Sequence, residues 1–277
     1  MCSQGTDVTE PEPPPGRSPD VADMSSPVAP GRPEPVPEHA VELLRRHVRL
    51  ASPSSDPAAV AARVRVATRE LARFRMVYEF GIEEMLTKIR ILRSEFRQTH
   101  SHNPIEHVTS RLKTMDSILE KAVRYGCSTD VATIRERVRD IAGIRVTCSF
   151  ASDLYRVADM LCAQPDVELV ECKDYVAHPK PNGYRSLHLI VRIPVFLSDR
   201  TEHVPVEIQI RTIAMDFWAS VEHKLSYKYR GDLPAHLRTE LLDAATTAAE
   251  LDERMGRLRD EVRDLGDEGG AARGTPA

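Results

Sequence analysis

The stretch HVPVEIQIRT, residues 203–212, predicts a β-strand with one apolar face and one polar face. Side chains alternate across a strand. The apolar face would hold Val206, Ile208 and Ile210, and the polar face would hold Glu207, Gln209 and Arg211. Burying unpaired charges on a dry surface is costly, so the polar face must line solvent or a polar cavity. A solvated strand face with cross-strand ion pairs is the simpler of these two interpretations.

Outward from this strand, helical and extended patterns alternate along the chain. Apolar residues recur at spacings of three and four from Asp56 to about Gln98, and Gly81 predicts a break into two helices there. The further predicted helices are 39–50, from about Met115, 130–138, 152–163 with Ser152 as N-cap, 214–229 and from Pro234; the strands are 105–108, 141–150, 167–176, 185–195 and 203–212. This order predicts an α/β (α+β) fold in which helices flank a mixed β-sheet.

The two ends of the chain differ from its middle. Residues 1–38 are rich in Pro, Ser, Glu and Gly, which predicts a disordered, partly polyproline-like arm. The predicted organisation is this arm, N-terminal helices over 39–103, a central domain over 104–230, a C-terminal helix over 231–264 and a disordered tail over 265–277.

Charge and cysteine content exclude several classes of protein. The net charge of −4 does not fit a duplex-DNA binder. Five cysteines without a C-x-x-C pair predict neither a disulfide framework nor a zinc site, and they favour a reducing cytoplasm. The sequence shows no signal peptide and no apolar run of ~18–20 residues, so we expect neither secretion nor a membrane span.

The segment VRDIAGIRV places Asp140 where a helix gives way to a strand. Mg²⁺ prefers oxygen ligands, commonly one or two carboxylates together with substrate phosphates. Gly143 permits close backbone approach, and strand alternation predicts Arg145 on the face opposite to Asp140. The alternative is that Asp140 only pairs with Arg139 or caps a helix.

A basic cluster, TSRLKTMDSILEKAVR, surrounds a predicted helix start. It contains Arg111, Lys113 and Lys121, and Ser117 shares a helix face with Lys121 because the two are four residues apart. Cations beside a helix N-terminus suit a polyphosphate. The G-x-x-x-x-G-K-[ST] signature is absent. A solvated basic helix face is the alternative.

The loop YVAHPKPNGYRSLHLIV, residues 175–191, leads into the next strand. Tyr184, Ser186 and His188 are predicted to share one strand face, with Lys173 and Lys180 beside the loop. An aromatic ring among cations suits a base with its phosphates. A hairpin turn with a half-buried tyrosine explains the Asn-Gly pair equally well.

Together these features predict a particular chemistry. One metal-type carboxylate, a second carboxylate able to accept a proton, two sets of cations and an aromatic ring point to metal-assisted transfer of a phosphate-containing group between two nucleotides.

The run VRDIAGIRV…KDYVAHPKPNGYRSLHL…VEIQIRTIAMDFWASVEHKLSYKY closely resembles the synthetase domain of the RelA/SpoT family, over about residues 104–230. HVTSRLKTMDSILEK resembles that family's ATP-binding segment. The chain contains no His-Asp dipeptide like that of the family's hydrolase domain, and it is too short for the family's regulatory C-terminal region. It therefore resembles a small alarmone synthetase, without hydrolase activity.

The resemblance implies a nucleotidyltransferase-like fold and transfer of pyrophosphate from ATP to the 3′-hydroxyl of GDP or GTP, giving AMP and (p)ppGpp. It implies that Asp140 and Glu207 hold Mg²⁺, that Glu207 also activates the hydroxyl, and that Tyr184 stacks on guanine. The implied ATP-binding residues are Arg111, Lys113, Ser117, Lys121 and Arg145, with Arg111 and Arg145 as candidates to sandwich adenine. The implied residues of the GDP/GTP site, besides Tyr184, are Lys173, Lys180, Asn182, His188, Gln209 and Asp216.

The resemblance also bears on partners and regulation. It implies a homotetramer, with pppGpp or single-stranded RNA as a candidate effector. Asp216 stands where an asparagine is common in the family, which would alter the preference between GDP and GTP. His107 stands where a phenylalanine is expected for the effector contact, which argues against activation by product. The rival hypothesis is a non-catalytic regulator that binds guanine nucleotides or single-stranded RNA.

Overall fold

The computed structural model describes residues 57–127, 131–228 and 233–271. The helices are α1 (Pro57–Thr99), α2 (Met115–Arg124), α3 (Val131–Arg137), α4 (Ala151–Cys162), α5 (Ile213–Lys228) and α6 (Ala235–Ala271). The strands are β1 (Ile105–Leu112), β2 (Ala142–Cys148), β3 (Glu168–Asp174), β4 (Leu187–Phe196) and β5 (Thr201–Thr212). The predicted arm over 1–38 and the predicted helix over 39–50 lie outside the described residues.

The five strands form one sheet in the order β1-β2-β5-β4-β3. The central pair, β2 and β5, is parallel, and every other neighbouring pair is antiparallel. The prediction of a mixed sheet flanked by helices is therefore confirmed.

One face of this sheet is the core of the protein. Val206, Ile208 and Ile210 of β5 are completely buried, as the period-2 pattern predicted. They join apolar residues of β2 and β4, and α1 and α4 contribute to the same cluster. Each buried aliphatic side chain contributes roughly 1.5–3 kcal/mol, so this face anchors the sheet and leaves the opposite face available for polar groups.

The predicted helix break at Gly81 is wrong, because α1 is continuous from Pro57 to Thr99. A Cβ at position 81 would lie 2.7 Å from Cγ1 of Val204. The glycine therefore allows the helix to approach β5 closely. A glycine inside a helix costs only about 1 kcal/mol relative to alanine, which packing along the rest of α1 offsets.

The start of helix α4 and the end of helix α6 differ from the predicted positions. Helix α4 begins at Ala151, with Phe150 rather than Ser152 at the N-cap, and the Ser152 hydroxyl instead accepts a hydrogen bond from Arg259 at 2.8 Å. Helix α6 follows Pro234 directly, as predicted, but continues to Ala271, beyond the predicted end at residue 264. Its glycines weaken the last turns without the steric block that a proline imposes.

Among the residues of the three described ranges, none of the helices combines the length and apolar character needed to cross a bilayer.

Candidate active site

Strand register brings the predicted polar residues into two rows across the face of the sheet opposite the core. The first row is Thr109, Arg145, Gln209, His188 and Lys173, and the second is Arg111, Gly143, Glu207, Ile190 and Glu171, each read from β1 through β2, β5 and β4 to β3. Five strands therefore contribute to one surface that no single segment of the chain contains.

Asp140 lies just before β2 and is almost completely buried. Its Oδ2 atom accepts hydrogen bonds from Lys113 at 2.7 Å and from Lys121 at 2.9 Å. Burial alone would raise the pKa of Asp140, but the two ammonium groups outweigh it and lower the pKa to about 2. The carboxylate is thus fully ionised near neutral pH, and the alternative of a simple pair with Arg139 is wrong.

The two oxygens of Asp140 differ in their hydrogen bonding. Oδ1 is buried and has no hydrogen-bond partner among the described residues. A buried carboxylate oxygen normally has a partner, so this atom is available for a ligand.

The start of α2 lies beside this carboxylate. Thr114 caps the helix, since its hydroxyl accepts the Ser117 amide at 3.3 Å. Ser117 and Lys121 lie one turn apart on this helix, as predicted. Arg111 packs over Gly143, where a Cβ would come 3.4 Å from the arginine Cγ. Because Gly143 has no side chain, Arg111 can lie close against the sheet at this position.

Glu207 lies in the second row, on the central strand. Its Oε2 atom accepts the side-chain amide of Gln209 at 3.0 Å, and Oε1 lies 3.5 Å from Nδ1 of His188. Burial would raise the pKa of Glu207, and the charge of Asp140 also raises it, but the contacts with His188 and Gln209 hold the pKa below its ordinary value. Glu207 is therefore an ionised carboxylate with both oxygens oriented by neighbours.

His188 connects Glu207 to the loop that precedes β4. Burial lowers the pKa of His188 below its ordinary value, so the imidazole is neutral near pH 7. Its Nε2 atom lies 2.7 Å from the hydroxyl of Tyr184. The ring of Tyr175 meets the rings of both residues edge to face, with centroids 5.2 Å from His188 and 6.1 Å from Tyr184.

Tyr184 is more enclosed than an open stacking platform, with only 5% of the residue exposed. The ammonium of Lys180 lies 5.0 Å from its ring centroid and 4.7 Å from that of Tyr175. Burial and the neighbouring charge of Lys173 lower the pKa of Lys180. A base could stack on Tyr184 only after Lys180 moves away from the ring.

Arg211 is completely buried beneath this group. Its guanidinium donates to the hydroxyl of Tyr184 at 2.6 Å and to Oε1 of Gln209 at 2.8 Å. It also donates to Oδ1 of Asp216 at 3.2 Å, and Arg145 contacts the same oxygen at 3.0 Å. Burial and the charge of Arg211 lower the pKa of Arg145 to about 10, while Asp216 opposes this change. Asp216 is thus the shared counter-ion of two arginines.

Helix α6 supports the loop that carries Tyr184. Gly183 has φ of +88°, and a Cβ there would lie 2.5 Å from that of Ala245. Asn182 accepts the Tyr184 amide at 3.2 Å, which stabilises the turn. The indole of Trp218 donates to the carbonyl of Leu241 at 2.9 Å and so ties α5 to α6. Glycine is required at position 183 both for its backbone angle and for this close contact.

Three expectations about geometry change. Arg145 lies on the same side as Asp140 rather than opposite. Lys113, which pairs with Asp140, directly follows β1 two residues after Arg111, and Asp140 precedes β2, so strand alternation does not set its direction. Tyr184 and Ser186 precede β4, which begins at Leu187. The buried Ser186 hydroxyl donates to the carbonyl of Ile210 at 3.2 Å and does not line the polar face with His188.

The structure brings two further residues into the site that were not among the predicted site residues, Arg211 and Tyr175. The strand alternation that indicated Glu207 and Gln209 also placed Arg211 on the polar face, so the sequence already contained a sign that Arg211 belongs to the site. Tyr175 lies beyond the end of β3 at Asp174, and no periodic pattern indicated that its ring would meet Tyr184.

Comparison with known proteins agrees with this architecture. Residues 110–232 match the region found in RelA / SpoT proteins. The chain is 50% identical over 187 residues to the GTP pyrophosphokinase YwaC of Bacillus subtilis, covering 68% of this chain and 89% of that protein. It is 42% identical over 196 residues to the GTP pyrophosphokinase YjbM of the same organism, covering 71% and 92%.

Solved structures give the same result. Small alarmone synthetase 1 of Bacillus subtilis, bound to its product pppGpp, aligns with a TM-score of 0.65 at 42% identity, covering 70% of this chain and 98% of that one. Small alarmone synthetase 2 of the same organism aligns with a TM-score of 0.64 at 47% identity, covering 69% and 99%. This chain belongs to the RelA/SpoT family, and it groups there with the small alarmone synthetases.

Proposed function

We propose that this protein is a GTP pyrophosphokinase that transfers pyrophosphate from ATP to the 3′-hydroxyl of GDP or GTP. The observation that carries the proposal is the position of Glu207 on the central strand. It lies between a donor-side set of cations with Asp140 and an acceptor-side set with Tyr184. The names of the relatives YwaC and YjbM support the same activity.

The donor subsite is the end of the sheet formed by β1, β2 and α2. We assign ATP to Arg111, Lys113, Ser117, Lys121 and Arg145. Lys113 is only 2% exposed and its ammonium contacts Asp140. Lys113 therefore affects the phosphates indirectly, by neutralising charge on Asp140. Lys121 lies nearer the surface.

The acceptor subsite is formed by β3, β4 and the loop before β4. We assign the guanine nucleotide to Tyr184, Lys173, Lys180, Asn182 and His188 of these elements, together with Gln209 of β5 and Asp216 of α5. The position of Lys180 over two aromatic rings suggests how binding begins. The nucleotide's phosphates attract the ammonium away from Tyr184, and the base then takes its place on the ring.

The donor set fits a bound Mg²⁺. Oδ1 of Asp140 is an ionised, buried oxygen without a hydrogen-bond partner in the described chain, and Glu207 supplies the second carboxylate. Within the described ranges, no cluster of three or more His, Cys, Asp or Glu side chains could hold a metal alone. This suits Mg²⁺, which usually takes one or two carboxylates and completes its coordination with phosphates and water. Bound there, it would neutralise charge on the ATP phosphates.

The transfer itself needs one proton acceptor and good alignment. The 3′-oxygen attacks the β-phosphorus of ATP, the bond from that phosphorus to the oxygen bridging the α-phosphate breaks, and AMP leaves. Glu207 takes the proton of the hydroxyl. Because the carboxylate is held by two neighbours and the cations neutralise charge, most of the rate enhancement comes from alignment and electrostatic stabilisation.

The biological setting follows from this chemistry. The product class is the alarmone (p)ppGpp of the stringent response, made without a hydrolase activity. We assign the enzyme to the cytoplasm, where ATP and GTP are available, and no disulfide joins the cysteines of the described ranges. From the family resemblance, we further propose a homotetramer, with single-stranded RNA or pppGpp as a candidate effector, although His107 in place of the expected phenylalanine argues against activation by pppGpp.

Product identity tests the proposed function. Incubation with Mg²⁺, ATP labelled in the β-phosphate, and GDP should give AMP together with labelled ppGpp, separated by thin-layer chromatography. A polymerase-type transferase would instead release free pyrophosphate. A chain that binds both nucleotides yet forms neither product would support the non-catalytic regulator.

A further inference from the structure

We propose that Arg211 is a positioning residue that orients the Glu207 carboxylate through two hydrogen-bonded arms. This rests on the proposed function, in which Glu207 accepts the proton. Arg211 is completely buried and does not itself contact Glu207 in the structure.

The first arm runs through Gln209. The guanidinium donates to Oε1 of Gln209 at 2.8 Å, and Nε2 of Gln209 donates to Oε2 of Glu207 at 3.0 Å. An arginine can only donate, so it fixes which end of the amide faces it. The NH₂ group is thereby directed towards Glu207.

The second arm runs through Tyr184 and His188. The same Nη2 atom donates to the Tyr184 hydroxyl at 2.6 Å, and that hydroxyl lies 2.7 Å from Nε2 of His188. Because the tyrosine oxygen accepts from Arg211, its proton is available to Nε2. The neutral imidazole then carries its proton on Nδ1, which lies 3.5 Å from Oε1 of Glu207.

One oxygen of Glu207 therefore accepts a hydrogen bond from Gln209, the other faces Nδ1 of His188 at 3.5 Å, and both neighbours are oriented by one guanidinium. Asp216 fixes that guanidinium in turn at 3.2 Å. A lysine lacks the planar set of donors that reaches several acceptors at once. The arrangement defines the direction of the remaining lone pairs of Glu207.

The decisive experiment compares the steady-state kinetics of variants that cut one arm each. Gln209→Met cuts the first arm and Tyr184→Phe cuts the second while keeping the ring, and Arg211→Lys weakens both. We expect kcat to fall about 10-fold in each single-arm variant and about 100-fold in Arg211→Lys, with KM for ATP nearly unchanged.

A readout without turnover keeps the test independent of the proposed function. In ¹⁵N NMR spectra, the His188 signal, identified by its loss in His188→Gln, should show the Nδ1–H tautomer in the wild-type protein and a mixture of tautomers in Tyr184→Phe. An unchanged tautomer in Tyr184→Phe together with an unchanged kcat in both single-arm variants would overturn the proposal. A wild-type protein that forms no ppGpp but shows the expected tautomer change would refute only the proposed function.

If Arg211→Lys does not fold, the double variant Gln209→Met/Tyr184→Phe removes both arms and leaves Arg211 in place. It should match the 100-fold loss. A double variant that raises only the acceptor KM, at unchanged kcat, would show that these residues bind the ground-state nucleotide and do not position Glu207.

An independent observation concerns helix α6. Its C-terminal half carries an exposed apolar seam, which we define as Leu251, Met255, Leu258, Val262 and Leu265, between 44% and 69% exposed. The spacing alternates four and three residues, which is the pattern of a coiled-coil interface. The neighbouring flank of the helix faces its own domain, since Asp252 accepts the Thr212 hydroxyl at 2.6 Å.

We infer that this seam pairs antiparallel with the same seam of a second copy of the chain. Antiparallel pairing that places Met255 opposite Leu258 of the other copy also places Leu251 opposite Val262. It sets Arg254 beside Glu261 of the other copy, an attractive pair that occurs twice by symmetry. Parallel pairing in register would instead set Arg254 beside Arg259, a repulsive pair. Charge therefore favours the antiparallel arrangement.

Light scattering after gel filtration of the full-length chain tests this surface. Leu258→Glu with Val262→Glu should halve the number of subunits in the assembly, whereas Arg257→Glu, outside the seam, should not change it. Arg254→Glu and Glu261→Arg should each weaken association, and the two together should restore it. A monomeric wild-type chain, an unchanged subunit number in the seam variant, or no restoration by the charge swap would overturn the inference.

Discussion

The ammonium of Lys113 lies 2.7 Å from Oδ2 of Asp140, and both residues are buried. Asp140 is therefore a structural counter-ion as well as the proposed metal ligand. A substitution at this position affects stability and catalysis together, and the two effects need separate measurements.

We expect Asp140→Ala to abolish synthesis and also to lower the free energy of unfolding by about 3 kcal/mol, because it leaves the buried ammonium of Lys113 uncompensated. Urea denaturation measures the stability and the AMP assay measures the activity. The double variant Lys113→Met/Asp140→Ala should recover most of the stability but none of the activity. Full stability in the single variant would contradict the ion pair.

Acid should remove the contribution of Asp140 to stability. Its pKa is about 2 in the folded chain and 3.8 in the reference state. A lowered pKa stabilises the fold above the unfolded value, so the contribution of about 2 kcal/mol is complete above pH 4 and is lost as the pH falls towards 2. Denaturation at a series of pH values should show this loss in the wild-type protein and a smaller loss in Lys113→Met/Asp140→Ala.

Glu207→Gln should preserve the fold and lower kcat by at least about 10³-fold, because the amide has similar shape but cannot take the proton. Circular dichroism and the AMP assay together check this. Glu202→Gln is a suitable control, since Glu202 lies at the other end of β5 and pairs with Arg135 and Arg200. Comparable losses in both variants would argue against a specific role for Glu207.

The pH dependence of kcat at saturating substrate should distinguish Glu207 from His188 as the base. The pKa of Glu207 lies below its ordinary 4.5, and that of His188 lies below its ordinary 6.5. The base is thus already ionised near neutral pH, and the acidic limb should fall below pH 4.5. A limb above pH 4.5 that disappears in His188→Gln would assign the base to the histidine.

Gly81→Ala should destabilise the protein although alanine favours a helix, because the added Cβ would lie 2.7 Å from Val204. Gly256→Ala is the matched control, since a Cβ there meets no atom within 4 Å. It should raise the free energy of unfolding by up to about 1 kcal/mol. Thermal denaturation compares the two, and stabilisation by both would show that α1 can move away from β5.

The local patterns of the sequence were sufficient for the secondary structure of the sheet. The alternation of β5 predicted which residues are buried, because a strand places successive side chains on opposite faces whatever its neighbours are. The carboxylate, amide and guanidinium on the polar face of β5 were predicted in the same way. The start of α6 was predicted from Pro234, because proline is tolerated at a helix start but not in its interior.

Predictions failed where the outcome depended on a distant segment. Gly81 was predicted to break a helix. The helix continues there, and the glycine lets it pack closely against Val204, which lies more than a hundred residues later in the chain. Tyr184 was predicted to share a strand face with His188, but it precedes β4, and Arg211, Lys180 and helix α6 enclose its ring.

The sequence by itself determined the strands, the polar face that carries Glu207, and membership of the RelA/SpoT family, because these depend on residue type and short-range spacing. Only the tertiary structure decided how these groups are held. The pairing of Asp140 with Lys113 and Lys121, and the two arms from Arg211 to Glu207, join atoms from separate elements. Hydrogen bonds form over about 3 Å, and only the packing of the sheet brings these atoms to that distance.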